Sequence, residues 1–162
     1  MIRTYINTFQ IGLVAGMRTF TAPALVNYKL TNTRPDRLAG SRLAVMSSPK
    51  ASILLTVLAA GELVGDKVPS APNRIDIQPL SARMVSGAVC GASLSEAEGK
   101  QATLGAVAGS VGALVGSYTF FYLRRWLTVE KGLPDFVVAL AEDALAIGIG
   151  LAATDVAQDY AQ

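Results

Sequence analysis

Residues 102–123, ATLGAVAGSVGALVGSYTFFYL, run for more than 20 positions without a charged side chain. A helix needs about 20 apolar residues to cross a bilayer, so this stretch is long enough to cross as one helix. It closes on Tyr118, Phe120, Phe121 and Tyr122, followed by Arg124, Arg125 and Trp126. Aromatic and then basic residues in that order mark a membrane interface. The rest of the chain must be compatible with this span, and its composition is. Hydrophobic residues make up 51% and charged residues 16%. Soluble domains carry about 25% charged residues, so there is too little charge here to coat a water-facing surface.

Four further apolar segments accompany that span. Residues 6–28 form a first candidate span, interrupted by Arg18 near its middle and by Pro23. Residues 51–67 form a second, short one that runs directly into Glu62, Asp66 and Lys67. Residues 79–95 form a third, with Arg83 in its opening turn after Pro79, which either crosses with a tilt or dips in and returns. Residues 134–154 form the last, with Glu142 and Asp143 adjacent near its centre. The fold class expected is therefore all-α: one domain over residues 1–162, a polytopic transmembrane bundle of four to five apolar segments, with broken or short helices around residues 66–83. The N-terminal segment has no small-residue cleavage site that proline does not spoil, and it is expected to stay as the first span. Basic residues divide evenly between the two sides of a five-span arrangement, so they do not fix its orientation.

Glycine spacing sets the packing. Gly12/Gly16, Gly61/Gly65, Gly87/Gly91 and Gly105/Gly109 each lie four apart, and Gly112/Gly116 repeat the device. Small residues at this spacing let helix backbones approach closely in lipid. Tight internal packing is the first expectation, and a homo-oligomer through the fourth span is the second.

The charges inside the apolar segments carry the functional argument. The candidate set is Arg18, Glu62, Asp66, Lys67, Arg74, Arg83, Glu142 and Asp143. An arginine at the centre of a lipid-facing helix costs at least about 2.5 kcal/mol, so Arg18 is expected to face the bundle and meet a carboxylate or an anion. Glu62 and Asp66 share a helix face and repel unless cations separate them. Glu142 and Asp143 point about 100° apart on a helix, so at least one must face inward. The prolines at 69, 72 and 79 stop a helix and impose an extended elbow. A weak echo of VLAAGELVG (57–65) in VALAEDALA (138–146) is compatible with the internal repeats of transporters.

Much chemistry is excluded. There is no histidine, and Cys90 is the single cysteine, so common zinc sites and histidine-based triads lack their residues. No dinucleotide fingerprint or phosphate loop is present, and no cofactor or metal is expected. A net charge of +2 without a basic stripe argues against nucleic acid.

Three stretches together carry a resemblance: GMRTFTAPAL (16–25), GELVGDKVPSAPNRI (61–75) and PLSARMVSGAVCGA (79–92). They are similar to an uncharacterised family of small multi-pass bacterial membrane proteins, filed as a domain of unknown function. Its members share a glutamate, an Asp-Lys-x-Pro elbow and an arginine that opens a Gly/Ala-rich helix. The resemblance covers nearly the whole chain. It implies a multi-pass protein of the bacterial inner membrane and weight on Glu62, Asp66, Lys67, Pro69 and Arg83, but no activity.

The function expected from the residues is a transporter or channel-like protein with an intramembrane charged site for a small anionic or zwitterionic solute. The alternative is a structural or assembly protein whose charges are buried ion pairs. A membrane enzyme acting on a lipid phosphate ranks below both, since no nucleophile or paired metal motif is evident. The bilayer is the expected environment and a second copy the expected partner.

Overall fold

The structure, a computed structural model, describes residues 2–33, 36–65 and 75–155. Among these residues there are six α-helices and no strand, in agreement with the expected all-helical class. They are α1 (Ile2–Met17), α2 (Thr21–Asn32), α3 (Pro49–Gly65), α4 (Ile77–Ala97), α5 (Ala102–Arg125) and α6 (Asp135–Asp155). A 3-10 turn, Ala44–Ser47, precedes α3, and a π-turn, Trp126–Glu130, follows α5.

The centre of the fold is a layer of three helices joined by glycine. Gly12 and Gly16 of α1 lie on Gly109, Ala113 and Ser117 of α5 so closely that a Cβ on either would overlap α5 backbone. Gly87 and Gly91 of α4 meet Gly109 and Gly105 of α5 in the same way. Gly112 and Gly116 complete the seam against Phe9 and Leu13. These pairings fix direction: α1 runs parallel to α5, and α4 runs antiparallel to both. A tight connection enforces the second relation. Gly99 has φ +67°, and the N–H groups of Gly99 and Lys100 close on the carbonyls of Glu96 and Ser95, a helix end that favours glycine. Tight internal packing is thus what the spaced glycines of α1, α4 and α5 do, and α5 spends its glycine face within the chain.

The first segment is not one continuous helix. α1 ends at Met17, Arg18 to Phe20 turn, and α2 runs back alongside α4. Arg83, early in α4, touches the end of α1, whereas Glu98, just past α4, accepts a hydrogen bond from Thr4 at the start of α1. Lys29, Leu30 and Thr33 at the end of α2 share a small cleft with Leu94, Ala97 and Glu98. The far end of α2 therefore lies beside the near end of α1. Pro23 falls in the first turn of α2, where a missing N–H leaves no intrahelical bond unmade. Hydropathy alone does not separate a continuous span from a hairpin of two short helices, which is why residues 6–28 read as one crossing.

The third segment also differs from expectation. It is a full helix of 21 residues, with Arg83 in its second turn. α3 ends at Gly65 and α4 starts at Ile77. Pro79, expected to stop a helix, instead lies in the first turn of α4, where its missing N–H leaves no intrahelical bond unmade. The rest of the expected elbow, residues 66–74, lies outside the described residues. Two helical stretches, Ala102–Glu130 and Asp135–Thr154, are long and apolar enough to cross a membrane. Their outward faces are greasy: Val107 is 60% exposed on α5, and Phe136 is 59% exposed on α6. Ile53, Leu54 and Val57 of α3 are likewise exposed.

Candidate functional site

The turn between α1 and α2 brings two bare helix ends together. The last carbonyls of α1 and the first N–H groups of α2 have no intrahelical partners and must find others. The helix dipoles add partial negative charge at the end of α1 and partial positive charge at the start of α2. Three other helices answer both demands.

From α4, Arg83 donates through Nη1 to the carbonyls of Gly16 at 2.6 Å and Met17 at 3.0 Å. Ser86, one turn on, donates to the carbonyl of Thr19 at 2.6 Å. Ser117 of α5 adds a longer bond, 3.3 Å, to Gly16. A cation and two hydroxyls thus surround the negative end of α1. From α3, Glu62 accepts the N–H of Thr19 on Oε1 at 2.6 Å and the N–H of Phe20 on Oε2 at 2.8 Å. One carboxylate thereby engages two successive backbone donors at the positive end of α2. From α6, Asp143 takes Arg18 through a single oxygen, with Nε at 2.7 Å and Nη2 at 2.5 Å. Arg18 is 1% exposed and Arg83 is 4% exposed.

The adjacent acids of α6 part company, as their angular separation requires. Asp143 goes to Arg18, while Glu142 meets Arg124 of α5 at 3.7 Å. Arg124 also holds Asp135 with two parallel bonds of 2.8 and 2.7 Å. A line of charge therefore runs from Asp135, whose side chain is 64% exposed, to buried Glu142.

Depth follows from the register. Ser117 contacts the end of α1 and lies eight residues before Arg125. At 1.5 Å per residue the helix break sits about 12 Å short of the basic end of α5. Asp143 lies eight residues into α6, which matches that level.

Of the residues expected to form a site, Arg18, Glu62, Arg83 and Asp143 converge on the break. Glu142 meets Arg124. Asp66, Lys67 and Arg74 lie outside the described residues. Sequence reasoning missed Ser86, Ser117 and Asp135, and it read Arg124 only as an interface charge; serines within Gly/Ala-rich helices carry no distinguishing signal. The backbone of Gly16 to Phe20, the true partner of Glu62 and Arg83, leaves no side-chain signal; Pro23 was the available hint.

Two features adjoin the break. The hydroxyl of Thr21, the first residue of α2, is buried and has no hydrogen-bond partner among the described residues. A mostly apolar cleft of about 470 Å³ opens on Thr19 and Phe20, with Leu55 of α3 and Ser81 and Ser86 of α4 on its walls. Among the described residues no three acids or thiols are grouped as metal ligands. The arrangement is equipped to hold a carboxylate by backbone donors and to place guanidinium charge nearby.

A model of a family described as a domain of unknown function (DUF4126) matches residues 6–158. No curated protein and no solved structure matches the chain.

Proposed function

We propose, from the premise that the chain belongs to the DUF4126 family, that it is a multi-pass protein of the bacterial inner membrane that passes a small anionic or zwitterionic solute at the α1–α2 break. The observation that supports this reading is a pair of helix ends buried among helices whose outer faces are greasy. Irregular backbone within a bilayer is tolerated only where protein or a water-filled cavity covers it. Transporters use such interrupted helices to present N–H groups and carbonyls to solutes near the midplane. In this reading α4, α5 and α6 cross fully, α3 makes the fourth crossing, and α1 with α2 forms a hairpin that enters and returns. The arrangement described is the closed one, in which Glu62 and Arg83 cap the ends themselves.

Solute flux into proteoliposomes tests the reading. Purified protein is expected to admit a small organic anion or zwitterion faster than protein-free liposomes, and Arg83→Gln is expected to reduce that flux at least ten-fold. Flux equal to that of empty liposomes for every small anion and zwitterion tried removes transport.

A specific observation favours a second reading. Arg18, Glu62, Arg83 and Asp143 all have protein partners within 3.0 Å, as charges that only fix helix register would. Buried pairs contribute such specificity in some proteins. The double swap Arg18→Asp with Asp143→Arg separates the two. A purely structural pair recovers folding and cellular function on reversal, whereas a solute path loses its charge pattern and stays impaired although folded.

A further inference from the structure

We propose that the N–H groups of Thr19 and Phe20 form a binding site for the carboxylate of a small ligand, and that Glu62 is its built-in occupant, displaced when the ligand arrives. This rests on the reading of the break as a solute site and names the ligand class. The two donors belong to successive residues, and each takes a different oxygen of the same carboxylate, at 2.6 and 2.8 Å. A planar head with two oxygens satisfies both at once; a halide presents one point.

Two independent features adjoin the two donors. The Thr21 hydroxyl stands at the same helix end, 6% exposed for its residue and without a partner among the described residues. An unmet buried hydroxyl is costly, and a ligand with a further polar atom relieves that cost. A cleft of about 470 Å³ between α2, α3 and α4 is lined by Thr19 and Phe20, the two residues whose N–H groups form the site.

The occupant is placed to leave. Glu62 is in the last turn of α3, and among the described elements α3 packs chiefly against α2 and the 3-10 turn. It takes no part in the glycine seam; Gly61, beside Glu62, meets no described residue within 4 Å. Glu62 is also the single acid of α3, so its two bonds to the break are the polar contact that its carboxylate brings. Competition between a tethered and a free carboxylate for the same donors makes the bound state and the closed state mutually exclusive.

The probes are acetate and chloride, and the readout is the amide resonances of Thr19 and Phe20 in protein labelled at threonine and phenylalanine nitrogen. Wild type and Glu62→Ala are titrated at constant ionic strength. Glu62→Ala is expected to show saturable acetate shifts at both amides, at least ten-fold tighter than wild type, and a Tm that acetate raises and chloride does not. Acetate shifts that are absent from folded Glu62→Ala, or that chloride reproduces, overturn the site. Should Glu62→Ala not fold, Glu62→Gln retains one accepting oxygen; saturable acetate shifts tighter than in wild type support the site, and none overturns it. Saturable acetate binding at these amides without flux leaves the site standing and removes transport; flux without such binding does the reverse.

Discussion

Arg18 and Asp143 illustrate what one buried pair requires. Arg18 is 1% exposed, and both its bonds to Asp143 fall on one carboxylate oxygen. Removing one partner leaves the other charge buried, which costs about 3–5 kcal/mol in proteins where it has been measured. Asp143→Ala is therefore expected to lower unfolding free energy by about 3 kcal/mol or more, read by denaturant titration in detergent. Exchanging both residues is expected to recover a large part of that loss. The acids and bases of this site were visible in the sequence because charge inside an apolar run is expensive wherever it goes. Their partners were not. Arg18 finds Asp143 across 125 residues of chain, and Glu62 and Arg83 bind main-chain atoms that no side chain announces.

At the scale of a helix, the glycines divide into two kinds that spacing does not distinguish. Gly109 has its own carbonyl against Gly12 of α1, and a Cβ on it would overlap the backbone carbonyl of Gly87 in α4. Gly61 belongs to a pair of the same spacing yet meets nothing within 4 Å among the described residues. Gly109→Ala must push α4 away from α5, and overpacking of this kind costs about 1–3 kcal/mol. Gly61→Ala gains helix propensity of up to about 1 kcal/mol without a clash. Thermal unfolding of the two variants is expected to move in opposite directions, Gly109→Ala down and Gly61→Ala level or up. The helical class and the extents of α5 and α6 were legible, since their apolar runs are long and their ends carry aromatic, basic or proline residues. The hairpin in residues 6–28 was half legible. Arg18 and Pro23 marked an interruption, but a chain that turns back and a chain that continues share the same hydropathy.

The hairpin decides the topology of the whole molecule. If residues 6–28 crossed as one span, the start of the chain and the polar connection after α2 would lie on opposite faces of the membrane. In the structure they share an end. Thr4 donates to Glu98, just past α4, and Arg37 donates to the carbonyl of Ala97 at 3.3 Å. Ile2, Arg37 and Lys100 therefore lie at one end of the helix bundle, and Lys131, past the far end of α5, lies at the other. All four are open to solvent, so cysteines placed there report the face without repacking the core. The native Cys90 is buried and will stay unlabelled in the folded protein. With an impermeant thiol reagent on sealed vesicles, cysteines at positions 2, 37 and 100 are expected to label from the same side, and one at position 131 from the opposite side. The assignment does not depend on which face is cytoplasmic, since only the grouping is read. Position 2 labelling with position 131, and against positions 37 and 100, would replace the hairpin with a continuous first crossing. The helix ends that hold Glu62 and Arg83 would then no longer exist.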